Sequence, residues 1–307
     1  MWLNVRAFVV KNILIFGGAG FIGSELAKSL LEKDNIVCVV CTNKEKALSV
    51  IGNHENLQIT KLDIFDKDKL SKLLQGYDVV INLIGKLFES NKGDFELYHH
   101  DFPDLLSKCV LVNQHLIHLS ALGIANSSKT SKYAKTKLDG QNSVIKNSNN
   151  YNIISPSIVF GENDNFFNQF ARMSKISPFL PLIGNGKAKF APIYVKDLVK
   201  TIIFLIEDNK KHKNELFEAY GPDILDFKEI LQFILKTTRR KRILLNLPFF
   251  VAKIQAKLMN LLKIYLLTPD QVELLKYDNI ASNNYDNIDK ITGALHSYKD
   301  IVPKYLK

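Results

Sequence analysis

Residues 12–23 read Asn-Ile-Leu-Ile-Phe-Gly-Gly-Ala-Gly-Phe-Ile-Gly, and no other stretch restricts the possible folds of this chain as tightly. Residues 12–16 form a short apolar run of the length of a buried strand. Gly17, Gly18, Gly20 and Gly23 follow at once, and 21–31 then places Leu26, Leu30 and Leu31 on one helical face. Strand, glycine turn and helix in that order turn a glycine pattern into a dinucleotide-site reading. Gly17 can take the backbone angles of a tight turn. Gly20 has no Cβ, so a pyrophosphate can approach the backbone, and Gly23 lets the helix pack close to the strand. The N–H groups of the first helical turn, around Phe21 and Ile22, then point at the phosphates.

The β-α alternation continues. Strands are expected at 37–41, 58–63, 79–85, 116–120 and 152–160, and helices at 67–75, 95–109 and 131–148. Near-continuous apolar strands joined by helices predict an α/β fold of Rossmann type, a doubly wound parallel sheet covered on both faces. After Gly161 the pattern changes to a loop-rich stretch punctuated by Pro178, Pro181, Gly184, Gly186 and Pro192. Helices are expected at 197–207 and 227–237. The chain thus divides into a dinucleotide-binding domain over 1–160 and a smaller α/β substrate or partner lobe over 161–307, with about 190–210 returning to the first. Such a lobe closes over the strand C-termini, where open α/β sheets bind ligands.

Candidate cofactor contacts follow from the strand ends. The second strand ends in Cys41-Thr42-Asn43-Lys44, without the acid that binds the ribose hydroxyls of NAD. Thr42, Asn43 and Lys44 favour the 2′-phosphate of NADP(H), with NAD(H) the alternative; Lys44 can equally begin a solvated helix. Asp63, followed by Ile64, would close the third strand and accept from an adenine amino group, or cap a helix. Leu83, Ile84 and Gly85 end the fourth strand with little backbone bulk. Tyr133 and Lys137 stand four apart on a predicted helix, so they share a face. An ammonium beside a phenol favours the phenolate, so Lys137 is expected to lower the Tyr133 pKa and make the pair an acid/base. Ser120, at the end of the fifth strand, can hydrogen-bond the same substrate oxygen. An exposed i,i+4 pair is the ordinary meaning of such spacing; the preceding nucleotide-binding half is what raises it.

These segments together resemble the short-chain dehydrogenase/reductases of the extended or atypical kind. GGAGFIG at 17–23, NLIG at 82–85, HLSALG at 118–123, YAKTK at 133–137 and PSIVFG at 156–161 stand in that family's order. More narrowly, NFFN at 165–168, LPLIG at 180–184, IYVKD at 193–197 and LTPDQ at 267–271 resemble the group containing the nucleotide-binding accessory subunit of mitochondrial complex I and its bacterial relatives. The resemblance implies a nucleotide-binding protein, with NADPH in the complex I subunit, and adds Pro156, Ser157 and Ile158 to the cofactor contacts. It implies no established reaction. The chain departs from the family at Ser155 (usually Arg), Gln141 (usually Glu) and His99 (usually Asn), which weakens the carry-over of catalytic competence.

The net charge is +10, from 41 Lys+Arg against 31 Asp+Glu. Most of the excess is scattered Lys, which argues against nucleic acid as a partner. The one basic block is Arg239, Arg240, Lys241 and Arg242. Cys38, Cys41 and Cys109 have no metal-site or disulfide spacing, so no metal is expected, and reduced thiols suit a cytoplasmic setting. Met1 to Val10 is too short an apolar run for a signal peptide, and no apolar run is long enough to span a membrane. Over 244–267 an apolar helix is expected, with Lys253, Lys257 and Lys263 in water. Its other side, Phe250, Val251, Ile254, Leu258, Leu261, Leu262 and Tyr265, would pack on the second lobe. The sharper reading makes 239–267 a contact with an inner-membrane surface or a respiratory complex.

The reading that follows is an NADP(H)-dependent oxidoreductase acting on a carbonyl or alcohol, with Tyr133 as acid/base, Lys137 as its helper and Ser120 beside them. Two others stand open. One is a nucleotide-holding subunit or assembly factor without turnover. The other is a nucleotide-sugar epimerase, with Arg172, Lys187 and Lys189 around a diphosphate.

Overall fold

The computed structural model describes residues 10–263 and 266–307. Met1 to Val9 of the N-terminal reading and Tyr265 of the apolar helix lie outside the described residues. The first half alternates as its apolar pattern requires: β1 (Asn12–Phe16), α1 (Phe21–Leu31), β2 (Ile36–Val40), α2 (Lys44–Ile51), β3 (Leu57–Thr60), α3 (Lys67–Leu74) and β4 (Val79–Asn82). A π-helical turn, Glu96–Asp101, leads into α4 (Phe102–Cys109). Then come β5 (His115–Leu119), α5 (Ile124–Ser127), α6 (Lys132–Asn147) and β6 (Tyr151–Pro156). The rest adds β7 (Val159–Phe160), α7 (Phe167–Ile176), β8 (Phe179–Ile183), β9 (Lys189–Phe190), β10 (Ile193–Tyr194) and α8 (Val195–Glu207). It continues with β11 (Glu215–Ala219), β12 (Leu225–Asp226), α9 (Phe227–Thr237), β13 (Ile243–Leu247) and α10 (Phe249–Leu261). It ends with α11 (Pro269–Leu274), β14 (Asp286–Asn287), α12 (Asp289–Thr292) and α13 (Tyr298–Tyr305).

One eight-stranded sheet runs in the order β14-β11-β6-β5-β4-β1-β2-β3, and its neighbouring strands are parallel. The fold is α/β, a doubly wound Rossmann-type sheet. Strand order reverses between β1 and β4, which opens a crevice at their C-terminal ends. Ile13, Ile15, Val37 and Ile117 pack with α1 and α8 on one face. Leu14, Phe16, Val80 and Leu116 pack with Leu70, Phe102 and Val144 on the other. Alternate residues of each strand thus feed opposite cores, as a two-sided sheet requires. A separate aromatic-rich core, including Phe160, Phe167, Phe227 and Ile230, lies in the second lobe. Within 161–307, α8 packs on α1, and β11 and β14 extend the large sheet itself.

The strand foreseen over 79–85 ends at Asn82, and three further elements differ from the pattern-based expectation. The strand foreseen over 152–160 is two: after Pro156 the Ser157 N–H bonds Ala219 O (2.9 Å), and β7 leaves to pair with β10. The strand foreseen over 58–63 ends at Thr60. The helix foreseen over 244–267 is a strand followed by a helix. Ile243–Leu247 pairs in register with Phe179–Ile183, and Pro248 (φ −59°) ends that strand and leads into α10.

Candidate functional site

Close backbone crossing fixes the β1–α1 turn. Gly17 has φ +83°, and a Cβ there would lie 3.0 Å from the Leu83 carbonyl carbon. At Gly23 a Cβ would sit 2.3 Å from Gly17 O, and at Gly18 it would meet the Val39 methyls at 2.8 Å. Gly20 is different. It is exposed, its N–H donates to Gly17 O (3.0 Å), and an added Cβ would meet only that oxygen, at 3.2 Å. Side chains of Asn43, Asp66 and Ser131 cap α2, α3 and α6, but none caps α1. The helix start beside an exposed glycine therefore presents N–H groups to an anion. Half-buried Phe21 lies under Gly161, where a Cβ would come 3.1 Å from its ring, and Ile22 packs on the core.

Around the crevice the predicted residues take these places. Thr42, Asn43 and Lys44 are exposed just past β2, with no carboxylate among them. The Asn43 side-chain oxygen accepts the Lys46 N–H (2.8 Å). Asp63 does not close a strand: it lies in the exposed turn after β3 and accepts the Phe65 N–H (3.1 Å). Ile64 is half-buried beside it, and Asp66 is the cap of α3. The Leu83 N–H bonds Phe16 O (3.0 Å), and the Ile84 N–H bonds the Asn82 side chain (3.1 Å), which directs the chain past the turn. Exposed Gly85 leaves room for Lys137, whose Nζ lies 3.4 Å from where a Cβ would stand.

Helix α6 carries Tyr133 and Lys137 into this region. Lys137 is buried and donates to Leu119 O (3.0 Å); burial pulls its ammonium pKa down to about 8. Tyr133 is half-buried, edge-on to the rings of His99 (5.1 Å) and Phe95 (5.7 Å). Burial first, then the Asp270 carboxylate, pushes its phenol up to about 12. The expected lowering by Lys137 is thus reversed, because desolvation favours the neutral phenol. Ser120 is buried and its hydroxyl donates to Gln141 Oε1 (2.7 Å). A Glu at that position could accept the same proton as a charged group; Gln accepts it as a neutral one.

His99 accepts the Lys86 N–H at Nε2 (3.0 Å) and meets Thr136 Oγ1 at Nδ1 (3.2 Å). Its pKa falls to about 2, chiefly through burial and then the nearby Lys137. A neutral imidazole therefore braces Tyr133 from below. The backbone carbonyl of His99 approaches α6 so closely that a Cβ on Gly140 would stand 1.8 Å from it. Buried His118 leaves Nε2 without a partner, while its Nδ1 faces Asn82 (3.2 Å).

Sequence reasoning missed the reach of the second lobe. Asp270 accepts from Ser131 Oγ (2.8 Å) and from the backbone N–H groups of Lys132 (2.7 Å) and Tyr133 (3.2 Å). It thereby caps the helix that carries the phenol. The LTPDQ segment was visible in the sequence, but its target 137 residues away was not. Pro156 and Ser157 are buried, and the Ser157 hydroxyl donates to Asn279 Oδ1 (2.6 Å). Ser157 thus joins β6 to the 275–285 loop, and half-buried Ile158 packs on the second-lobe core. Arg172, Lys187 and Lys189 are all exposed. Among the described residues, Glu96, His100 and Asp101 bring ligand atoms together on the π-helical turn, with His100 Nδ1 3.0 Å from both carboxylates.

Comparison with known proteins agrees with this architecture. The family model described as "NAD dependent epimerase/dehydratase family" matches residues 13–219. The chain is 27% identical over 304 residues to "NADH dehydrogenase [ubiquinone] 1 alpha subcomplex subunit 9, mitochondrial" of Arabidopsis thaliana, covering 92% of this chain and 75% of that one. The Mus musculus subunit of the same name is 28% identical, covering 90% and 74%. Among solved structures, UDP-glucuronic acid 4-epimerase from Bacillus cereus, in complex with UDP-glucuronic acid and NAD, superimposes with a TM-score of 0.72 at 20% identity, covering 96% and 98%. Pal from Bacillus thuringiensis gives 0.73 at 17% identity, with the same coverage. The relatives include the complex I subunit group that the motifs resemble, and the chain belongs to the NAD dependent epimerase/dehydratase family.

Proposed function

We propose that this chain holds NADP(H) along the Gly17–Gly23 turn and serves chiefly as a nucleotide-binding subunit or assembly factor of a respiratory complex. The observation that carries the nucleotide is the uncapped start of α1 beside exposed Gly20. Phe21, Ile22 and Gly23 would offer backbone N–H groups to the diphosphate. Leu83, Ile84 and Gly85 form the opposite wall, and Ile64 with Asp63 lies at the adenine end. The acid-free group Thr42, Asn43 and Lys44 supports a 2′-phosphate there. Near-full-length likeness to complex I subunits supports the respiratory setting, and with it a place at the inner membrane. No helix of the described residues is long and apolar enough to cross a membrane.

Turnover has weaker support, because the Ser120 hydroxyl donates to Gln141 rather than toward the cleft. The second reading, a reductase, rests on Tyr133 and Lys137. A bound nicotinamide supplies hydride exchange; the chain would supply the proton. A phenol held at about 12 stays protonated, which suits a donor to a carbonyl oxygen better than a base toward an alcohol. Buried Lys137 would orient a ribose hydroxyl. The epimerase reading has less support, since Arg172, Lys187 and Lys189 are exposed.

The separating experiment is Tyr133→Phe. The first reading expects the variant to retain its nucleotide, identified by mass spectrometry of the purified protein, and to support respiratory-complex assembly in the host. Loss of biological activity with the nucleotide retained would establish the reductase. Recovery of NAD in place of NADP would overturn the reading of Thr42 to Lys44.

A further inference from the structure

Helix α10 is turned inside out. The residues it buries are Ala252 and Ala256, both fully, against Ile183 and Val272. Its large apolar side chains face water instead: Phe250 is 69% exposed, Ile254 63%, Leu258 59% and Leu261 80%, with Leu262 just beyond at 62%. At about 100° per residue these form one stripe, opposite the alanines. The expected arrangement, with this stripe packed on the second lobe, is therefore reversed. Small side chains on the inner face let the helix lie close to the protein body, which leaves the bulky residues standing outward as a ridge.

The preceding strand continues the surface. Ile243 and Leu245 are exposed on one face of β13, and the register sets Ile243 beside exposed Phe179 of β8. Monomeric soluble proteins rarely leave contiguous apolar surface of this kind uncovered. The charge around it has one sign. Residues 239–268 contain seven Lys or Arg and no Asp or Glu. Lys257 borders the ridge and is exposed, as are Arg239, Lys241 and Lys263 nearby in sequence. Lys253, on the side of α10 toward α11, pairs with Glu273 (2.6 Å) and so does not contribute.

We propose that the outer face of α10, with β13, docks on the surface of an anionic lipid bilayer. The complementarity is to an apolar layer edged by negative headgroups: Phe250, Ile254, Leu258 and Leu261 enter the acyl boundary, while exposed Lys257, Lys263, Arg239 and Lys241 meet the phosphates; Arg240 and Arg242 are held on Ala171 and Ser174 of α7. A helix of thirteen residues lying in the interface plane suits this arrangement, and an interfacial helix gains both from buried apolar area and from attraction to anionic lipid. An acidic protein surface would match the charge alone. The ridge stands outside the crevice at β1 and β4, so this proposal and the nucleotide reading fail separately.

The test is co-sedimentation of the full chain with phosphatidylcholine vesicles, with and without phosphatidylglycerol, at low and high salt. Binding is expected only with phosphatidylglycerol and should weaken as salt rises, by about fivefold for each headgroup contact screened. Ile254→Ser with Leu258→Ser, and separately Lys257→Glu with Lys241→Glu, should each reduce binding at least about tenfold, with circular dichroism and nucleotide content unchanged. Absence of binding to anionic vesicles at low salt overturns the proposal. So does binding that both variants retain, or sedimentation-velocity dimers that the Ser variant dissolves, since the ridge would then be an interface between copies of this chain.

Discussion

The turn between β1 and α1 and the helix α10 both press small residues against the protein body, with opposite consequences for what faces outward. At the turn, Gly17, Gly18 and Gly23 bring the chain within contact of its neighbours, and the position left open, Gly20, is also the smallest. The result is a helix start without a side-chain cap beside an exposed glycine. At α10, Ala252 and Ala256 make the close contact, and the positions left open hold the bulkiest side chains. The result is a convex, apolar ridge. A small residue reports how near the chain approaches itself; only the residues across from it report what is to be met from outside.

The largest effect that would test this contrast is Gly23→Ala. A Cβ 2.3 Å from Gly17 O cannot be relieved by side-chain motion, so the backbone must separate. We expect a loss of more than about 4 kcal/mol, read as failure to fold or a collapsed denaturation midpoint. A near-normal midpoint would show that the turn is looser than its packing.

Acid should follow in size. Burial lowers His99 to about 2, His115 to about 4 and His118 to about 3. In the unfolded chain each titrates near 6.5, so below that pH the unfolded state takes up protons that the folded state refuses. Their contribution is complete above about pH 6.5 and is lost as pH falls toward the folded values, about 1.4 kcal/mol per histidine by about pH 5.5. Urea denaturation across that range measures it. His99→Asn should flatten the slope by one proton.

Asp270→Asn is intermediate. Removing the carboxylate from the start of α6 should cost about 1 kcal/mol and lower the Tyr133 pKa from about 12. Tyrosinate absorbance, taken as a difference against Tyr133→Phe, reads the second effect. The smallest expected change lies on the ridge: Leu258→Ser should alter stability by no more than about 0.5 kcal/mol. Ala256→Leu, on the opposite side of the same helix, should cost about 1–3 kcal/mol. Equal costs would mean the ridge is covered within the chain.

Much of the nucleotide-binding half was legible in advance because its signals are local. Strand length, glycine spacing and the Tyr133–Lys137 interval each act within one or two turns of chain. What escaped was set at a distance. Nothing near Ser131 announces that Asp270 bonds it, and the Tyr133 phenol responds to burial and to the Asp270 carboxylate rather than to its neighbour on the helix. The split after Pro156 depends on β7 finding β10, and the extra strand at Ile243–Leu247 depends on β8. At α10 the sequence left the apolar stripe either packed on the second lobe or turned to an outside surface, and it faces outward; periodicity gives the angle of a face but not its partner.

The central claim, that a dinucleotide crosses the β1–α1 turn over Gly20, is tested most directly by calorimetric titration of NADPH into the wild-type chain and into Gly20→Val. Gly20 is exposed, with φ −83°, and an added Cβ would meet only Gly17 O, at 3.2 Å, so valine is expected to fold, checked by circular dichroism, while filling the berth. The account predicts saturable binding to the wild type and at least about a hundredfold weaker binding to the folded variant, a difference of about 2.7 kcal/mol. A folded Gly20→Val protein that binds NADPH as tightly as the wild type would contradict it.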